Sequence, residues 1–221
     1  MKNLLIIIIG LIIISSCEGA KKKYELPILG RMQVKDTVIN GEKVKDTIYH
    51  TIADFQFVDQ DSNFVTNETF DGQVYVADFF FTTCPTICPK MKQQMLRVYS
   101  AYKNNPEVGI LSHTIDPKHD TVAVLHDFAD KLGVETNKWH FVTGDQDEIY
   151  DLGEESYMIV AAEDNENPEI SGGYIHSGAF LLVDQERRIR GVYDGTRPEQ
   201  VDILINDIKR LISKKAQDEN S

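Results

Sequence analysis

The chain has 221 residues, enough for one well-cored domain. Its 42% hydrophobic and 26% charged residues are those of an ordinary globular protein. A net charge of −12 argues against nucleic acid as a partner, because phosphates would repel this surface.

Residues 1–16 read as a signal peptide rather than as part of the fold. Lys2 is a short positive start, and Leu4 to Ile14 is an apolar run interrupted only by Gly10. These eleven residues are too few to cross a hydrocarbon core of about 30 Å, which needs about 20 in a helix. The run ends in Ile14-Ser15-Ser16-Cys17, the pattern of a lipoprotein signal: small residues at the cut and a cysteine to take the lipid. The plainer alternative is an ordinary secretory peptide with a chance cysteine. On the lipoprotein reading Cys17 is the lipid-attachment residue and residues 17–23 are a polar tether. The protein is then held on the extracytoplasmic (periplasmic) face of a bacterial membrane. With Cys17 set aside, Cys84 and Cys88 remain, in a compartment where disulfides persist. Two cysteines four positions apart close too small a loop to staple a domain, so their role is read as chemical.

The domain is expected over residues 24–213. Val34-Lys35-Asp36-Thr37-Val38 recurs as Val44-Lys45-Asp46-Thr47-Ile48 around Asn40-Gly41, which predicts a β-hairpin within residues 31–50. Phe55 to Val58 and Phe64 to Thr66 predict a second strand pair. Val74 to Phe81 is apolar except for Asp78, as expected of a central strand covered on both faces. Thr82 to Cys88 is a loop, and Pro89 suits the first turn of a helix to about Tyr102. Val108 to Ile115 is the next strand. Asp120 is expected to cap a helix whose Val122, Leu125, Phe128, Ala129 and Leu132 share one face. A short strand, Trp139 to Thr143, precedes a helix near Asp147 to Tyr157. Gly178 to Val183 and Arg188 to Val192 are two more strands, and a helix runs from Pro198 to Ile212. Residues 214–221 are expected to be a polar tail. The β-α-β-α-β-α-β-β-α order calls for an α/β fold, a central mixed sheet flanked by helices. Cysteines in the loop after its first central strand make a thioredoxin-like fold the natural choice, with the hairpin as an N-terminal addition.

Cys84-Pro85-Thr86-Ile87-Cys88-Pro89 has one residue more between its cysteines than thioredoxin-type redox sites. A disulfide needs its sulfurs about 2.05 Å apart, whereas two thiolates sharing one metal stand about 4 Å apart. A three-residue loop accommodates both. The N-terminus of the helix is expected to favour the thiolate form. Soft thiolates select Cu(I), zinc or iron–sulfur, and a third ligand decides among them. Of the histidines, His50, His126 and His140 read as hairpin, helix-surface and packing residues. His119 is an exposed loop residue. His176 precedes the strand Gly178 to Val183, where thioredoxin-like folds bring a loop against the active helix. An oxidoreductase of this fold would have a proline there, and Gly173-Tyr174-Ile175-His176-Ser177-Gly178 has none.

The stretch from Asp78 through Cys84, Cys88 and Lys90 resembles the active segment of the Sco/SenC family. Asp116-Pro117-Lys118-His119-Asp120-Thr121 is similar to that family's Asp-Pro-x-x-Asp-Thr segment, and His176 stands 88 positions after Cys88, close to the family separation. The similarity covers roughly Phe55 to Ile212. The resemblance implies a thioredoxin fold, copper held by Cys84, Cys88 and His176, and a role in assembling the dinuclear copper site of cytochrome c oxidase. Two departures stand out: Ile175 where the family has an aspartate, and Asp78 where it has an aromatic residue. Asp78 is therefore a candidate to tune the metal or to accept a hydrogen bond. Asp116 and Asp120 read either as a partner-facing or metal-supporting pair, or as a turn and a helix cap.

The leading expectation is a metallochaperone carrying one copper, Cu(I) or Cu(II), per chain to the copper-bearing oxidase subunit, with another copper donor or a thiol reductant as a further partner. The alternative is an enzyme, a thiol–disulfide reductase that keeps the oxidase cysteines reduced through Cys84 and Cys88 alone. A peroxidase of the same fold would want an arginine near the attacking cysteine, and none is evident.

Overall fold

The computed structural model describes residues 25–39, 41–163 and 174–218. Strand β1 (Met32–Ile39) pairs antiparallel with β2 (Glu42–Tyr49) as a two-stranded sheet of its own. Gly41, at φ +85°, supplies the left-handed backbone this tight reversal needs. The second expected pair is β3 (Gln56–Asp59) with β4 (Phe64–Thr66).

The core begins at β5 (Val74–Phe80), all of whose residues are buried, as its unbroken apolar run requires. Helix α1 (Cys88–Tyr102) follows, with Pro89 in the first turn, where its missing N–H removes no helical bond. Met91, Met95 and Val98 recur at helical spacing and are buried. β6 (Val108–Thr114) leads to α2 (Val122–Leu132), and β7 (Trp139–Thr143) to α3 (Gln146–Asp151), which continues as a π turn through Ser156. The single helix expected near 147–157 thus changes hydrogen-bond pattern halfway. A short hairpin comes next, β8 (Ala161–Glu163) with β9 (Tyr174–His176). β10 (Ala179–Val183) and β11 (Ile189–Asp194) complete the strands. Helix α4 (Pro198–Asp218) runs beyond Ser213, where a polar tail was expected.

The main sheet has the order β11-β10-β5-β6-β7-β3-β4. β5, β6 and β7 are parallel, and β10, β11, β3 and β4 are added antiparallel. This is the mixed, helix-flanked, thioredoxin-like sheet that the element order calls for. Alternation along β5 and β6 sends Asp78, Phe80 and Ser112 to the face covered by α1 and α2. It sends Phe79 and His113 to the other face, against Tyr157 beyond the π turn. Among the described residues no helix is long and apolar enough to cross a membrane.

Candidate metal centre

Both cysteines lie at the C-terminal end of β5. The chain turns immediately after the strand, with Cys84 N–H donating to Phe81 O at 3.3 Å. Cys88 opens α1, held there by Lys90 and Met91 N–H groups donating to Ile87 O at 3.0 Å. Each cysteine is only 7% exposed, and the two are not joined by a disulfide. The Cys88 thiol is hydrogen-bonded to Cys84, whose Sγ also lies 3.6 Å from Thr86 Oγ1. The bond to Cys84, and next burial, push the Cys88 thiol well above its ordinary range, and the charges of Cys84 and Asp78 act in the same direction. Only a hydrogen bond with the Phe81 backbone opposes them. The expected ease of forming thiolate at this helix start is therefore corrected for Cys88: the sulfur is enclosed and faces acidic neighbours. Two convergent soft donors suit a thiophilic metal, and binding must displace protons from them. Among the described residues no three His, Cys, Asp or Glu side chains converge as a metal site.

The loop Asp116-Pro117-Lys118-His119-Asp120 braces the cysteines from below. Asp120 is fully buried and is not the cap of α2; Thr121 caps that helix by accepting from Val124 N–H. Asp120 instead accepts from Thr82 N–H at 3.0 Å and Thr114 Oγ1 at 2.6 Å, and also from Thr82 Oγ1. Thr82 is the first residue of the cysteine loop after Phe81, so a carboxylate on one loop fixes where the other begins. Asp116, 8% exposed, accepts from Tyr174 OH at 2.7 Å, and its carbonyl accepts from Asp120 N–H at 2.8 Å. Burial of both carboxylates corrects the partner-facing reading; the turn at Asp116-Pro117 stands. His119 is half-exposed, and the bond to Asp120 raises its pKa above the ordinary histidine value.

The main chain of His176 ends β9, paired with Ala161. On one side of it the Tyr174 ring packs on Phe81 at 5.0 Å between centroids. On the other, a side chain built at Gly178 would meet Ile87 Cδ1 at 3.7 Å. The segment carrying His176 is thus laid against both ends of the cysteine loop. The His176 side chain and Cys17 lie outside the described side chains and residues. Asp78, 5% exposed, accepts from Ser112 Oγ, which in turn accepts from Trp139 Nε1 at 2.9 Å. Of the two roles expected of it, Asp78 is seen in the hydrogen-bonding one, and its charge adds a minor push on the Cys88 thiol. The remaining expectations fit: His50 bonds to Ser156 O at 2.7 Å, His126 to Asp61 at 3.0 Å, and His140 to Asp59 at 3.0 Å.

Sequence reasoning missed Thr82, Thr114, Ser112 and Tyr174, each of which ties a candidate site residue to the scaffold. The signal available was the pairing of β5 with β6, which sets Asp78 opposite Ser112 and Phe80 opposite Thr114.

The SCO1/SenC family model matches residues 44–213. A SCO1/SenC family lipoprotein from Bacillus anthracis is 28% identical, with a TM-score of 0.67 over 74% of this chain and 95% of that one. BsSco, described as a member of the Sco family of cytochrome c oxidase assembly proteins with a disulfide switch, is 30% identical, with a TM-score of 0.64 over 73% and 93% of the two chains. ScoI of Bradyrhizobium japonicum, solved with copper bound, shares the fold at 23% identity and a TM-score of 0.61 over 73% and 99%. A family model that matches residues 44–213, most of the chain, together with the shared fold, shows that the chain belongs to the SCO1/SenC family.

Proposed function

We propose that this protein is a copper metallochaperone for cytochrome c oxidase, holding one copper per chain between Cys84, Cys88 and His176. The observation that carries the reading is convergence: two buried thiols share a hydrogen bond at the start of α1, and the strand bearing His176 packs at both its flanks against the same loop. Copper bound to one relative of this fold, and the oxidase-assembly description of another, support the cargo and the destination. Thiolate sulfur suits Cu(I), and an imidazole extends the site to Cu(II). The chain's own part is to enclose the sulfurs, to hold their spacing through Asp120 and Thr82, and to keep Cys88 protonated until metal arrives. Delivery would take place at the extracytoplasmic membrane face, with Cys17 as the lipid attachment; the lipoprotein relative supports that placement.

A second reading, a thiol–disulfide reductase serving the oxidase cysteines, is favoured by the adjacent thiols and by the disulfide switch of BsSco. The two readings part at His176. Copper transfer uses it as a ligand, and dithiol exchange does not. His176→Ala should weaken copper binding at least about tenfold, about 1.4 kcal/mol, with the larger loss for Cu(II). The variant should still form and exchange its disulfide, whereas Cys84→Ser should abolish both activities. In cells at limiting copper, the chaperone reading expects His176→Ala to impair oxidase copper loading almost as severely as Cys84→Ser. Full oxidase assembly in His176→Ala cells would replace copper delivery with the reductase.

A further inference from the structure

The β1–β2 ribbon has no part in the copper site, and its surface is unlike that of the rest of the molecule. It belongs to a separate two-stranded sheet, an arrangement that is marginal in water without something to cover it. Five of the ten large hydrophobic side chains exposed among the described residues lie on it: Met32, Val34, Val38, Val44 and Ile48. The strand register sorts them. Met32 faces Tyr49, Val34 faces Thr47, Asp36 faces Lys45 and Val38 faces Lys43, so these four pairs share one face, on which two lysines outnumber one aspartate. The opposite face carries Gln33, Lys35, Val44, Asp46 and Ile48, and is the more polar of the two.

Charge is divided along the same boundary. Residues 17–49, which follow the expected signal peptide, carry seven Lys and Arg against five Asp and Glu, a net +2, while residues 50–221 carry fifteen against thirty, a net −15. Position adds a third argument, which rests on the proposed lipid at Cys17. The arm before the ribbon is pinned to β11, where Leu29 N–H donates to Ile189 O at 2.8 Å and Arg190 Nε donates to Pro27 O at 2.9 Å. From Cys17 to Tyr24 the chain extends at most about 28 Å, and that stretch contains Lys21, Lys22 and Lys23. A lipid at Cys17 therefore keeps the ribbon close to the bilayer.

We propose that the Met32–Val34–Val38 face of the ribbon lies on the surface of a bilayer with anionic headgroups. The apolar side chains enter the headgroup boundary, and Lys43 and Lys45 meet the phosphates. A lipid on Cys17 fixes how far the domain can stand from the bilayer but not its orientation, which a basic, apolar contact beside the anchor would set. The same field repels the −15 body, so the ribbon also sets which way the domain hangs.

The chain has one native tryptophan, Trp139, which is 2% exposed and serves as an internal reference. Full-length lipidated protein carrying Val34→Trp or Val44→Trp is reconstituted in vesicles of phosphatidylcholine and phosphatidylglycerol in equal parts, with or without brominated acyl chains. Bromination should cut the added emission of Val34→Trp at least about twofold and that of Val44→Trp by less than about a fifth. Adding Lys43→Glu and Lys45→Glu to Val34→Trp should remove at least about half of its quenching. If wild-type chain does not sediment with vesicles, the anchor at Cys17 and the ribbon contact both fall. If it sediments but Val34→Trp is unquenched, or is quenched no more than Val44→Trp, the bilayer contact alone is overturned and the ribbon is left to a protein partner.

Discussion

Adjacent residues of β6 bury polar side chains in opposite ways. Towards α1, Ser112 donates to Asp78 and accepts from Trp139 Nε1, and one pair further on Thr114 donates to the buried Asp120. On the other face His113 is fully buried, with neither ring nitrogen hydrogen-bonded. It is enclosed by aromatic rings, stacked on Phe79 at 4.7 Å and set edge-on to Phe57 at 5.6 Å. Burial alone lowers its pKa to about 3, so the ring is neutral at any physiological pH. The polar face is the one beneath the cysteines, where position matters and every carboxylate must be held. The aromatic face asks only for a flat ring of the right size. The contrast predicts that neighbouring substitutions should differ in size at neutral pH and in sign at acid pH.

The largest effect is expected at Asp120. Asp120→Ala leaves the Thr82 N–H and the Thr114 hydroxyl without their acceptor and should cost about 3–5 kcal/mol in urea unfolding. A loss below about 1 kcal/mol would mean that the brace between the two loops is not rigid. Ser112→Ala is next. It removes only the hydroxyl, orphans Trp139 Nε1 and takes a donor from Asp78, for about 2–3 kcal/mol at neutral pH.

His113→Phe is the opposite case. Near pH 7 it should be within about 1 kcal/mol of wild type, because it removes two unmet polar atoms while keeping the ring. Below pH 6.5 the unfolded histidine takes a proton that the folded one refuses down to about 3. Stability from this group is therefore lost as pH falls through that window, reaching about 2 kcal/mol at pH 5. The wild type should show that loss relative to His113→Phe, and parallel pH profiles for the two proteins would contradict the buried, neutral assignment.

How far the sequence was legible follows the range of the interactions. The β1–β2 hairpin could be read because a turn signal and two flanking strands are local, and β5 because a run buried on both faces needs no alternation. Cys84, Cys88 and the turn at Asp116 could be read from neighbouring residues. In sequence Asp120 reads as a helix cap because it stands one residue before Thr121, the true cap, and both residue types cap helices. Its actual donor, Thr82, is 38 positions away in sequence and becomes visible only once β5 and β6 are paired. The β8–β9 hairpin was not expected, since strands of three residues carry too little periodicity to register. His113 sits in an apolar alternation with nothing local to mark it, and only the rings of Phe55, Phe57 and Tyr157 reveal its setting.

The position of β10 bears on when the cysteine loop is finished. β5 is flanked on one side by β6, which follows it closely, and on the other by β10, so that Val76 waits for Leu182. Pairings of such sequence separation are the slow ones in folding. A chain emerging from its N-terminus can therefore assemble β5, α1 and β6 while the β10 edge of β5 is still open and the Tyr174 and Gly178 cover over the loop is missing. During that interval the thiols of Cys84 and Cys88 are exposed in an unfinished protein. The last-made part of the sheet thus determines how long they remain open to oxidants and to other chains.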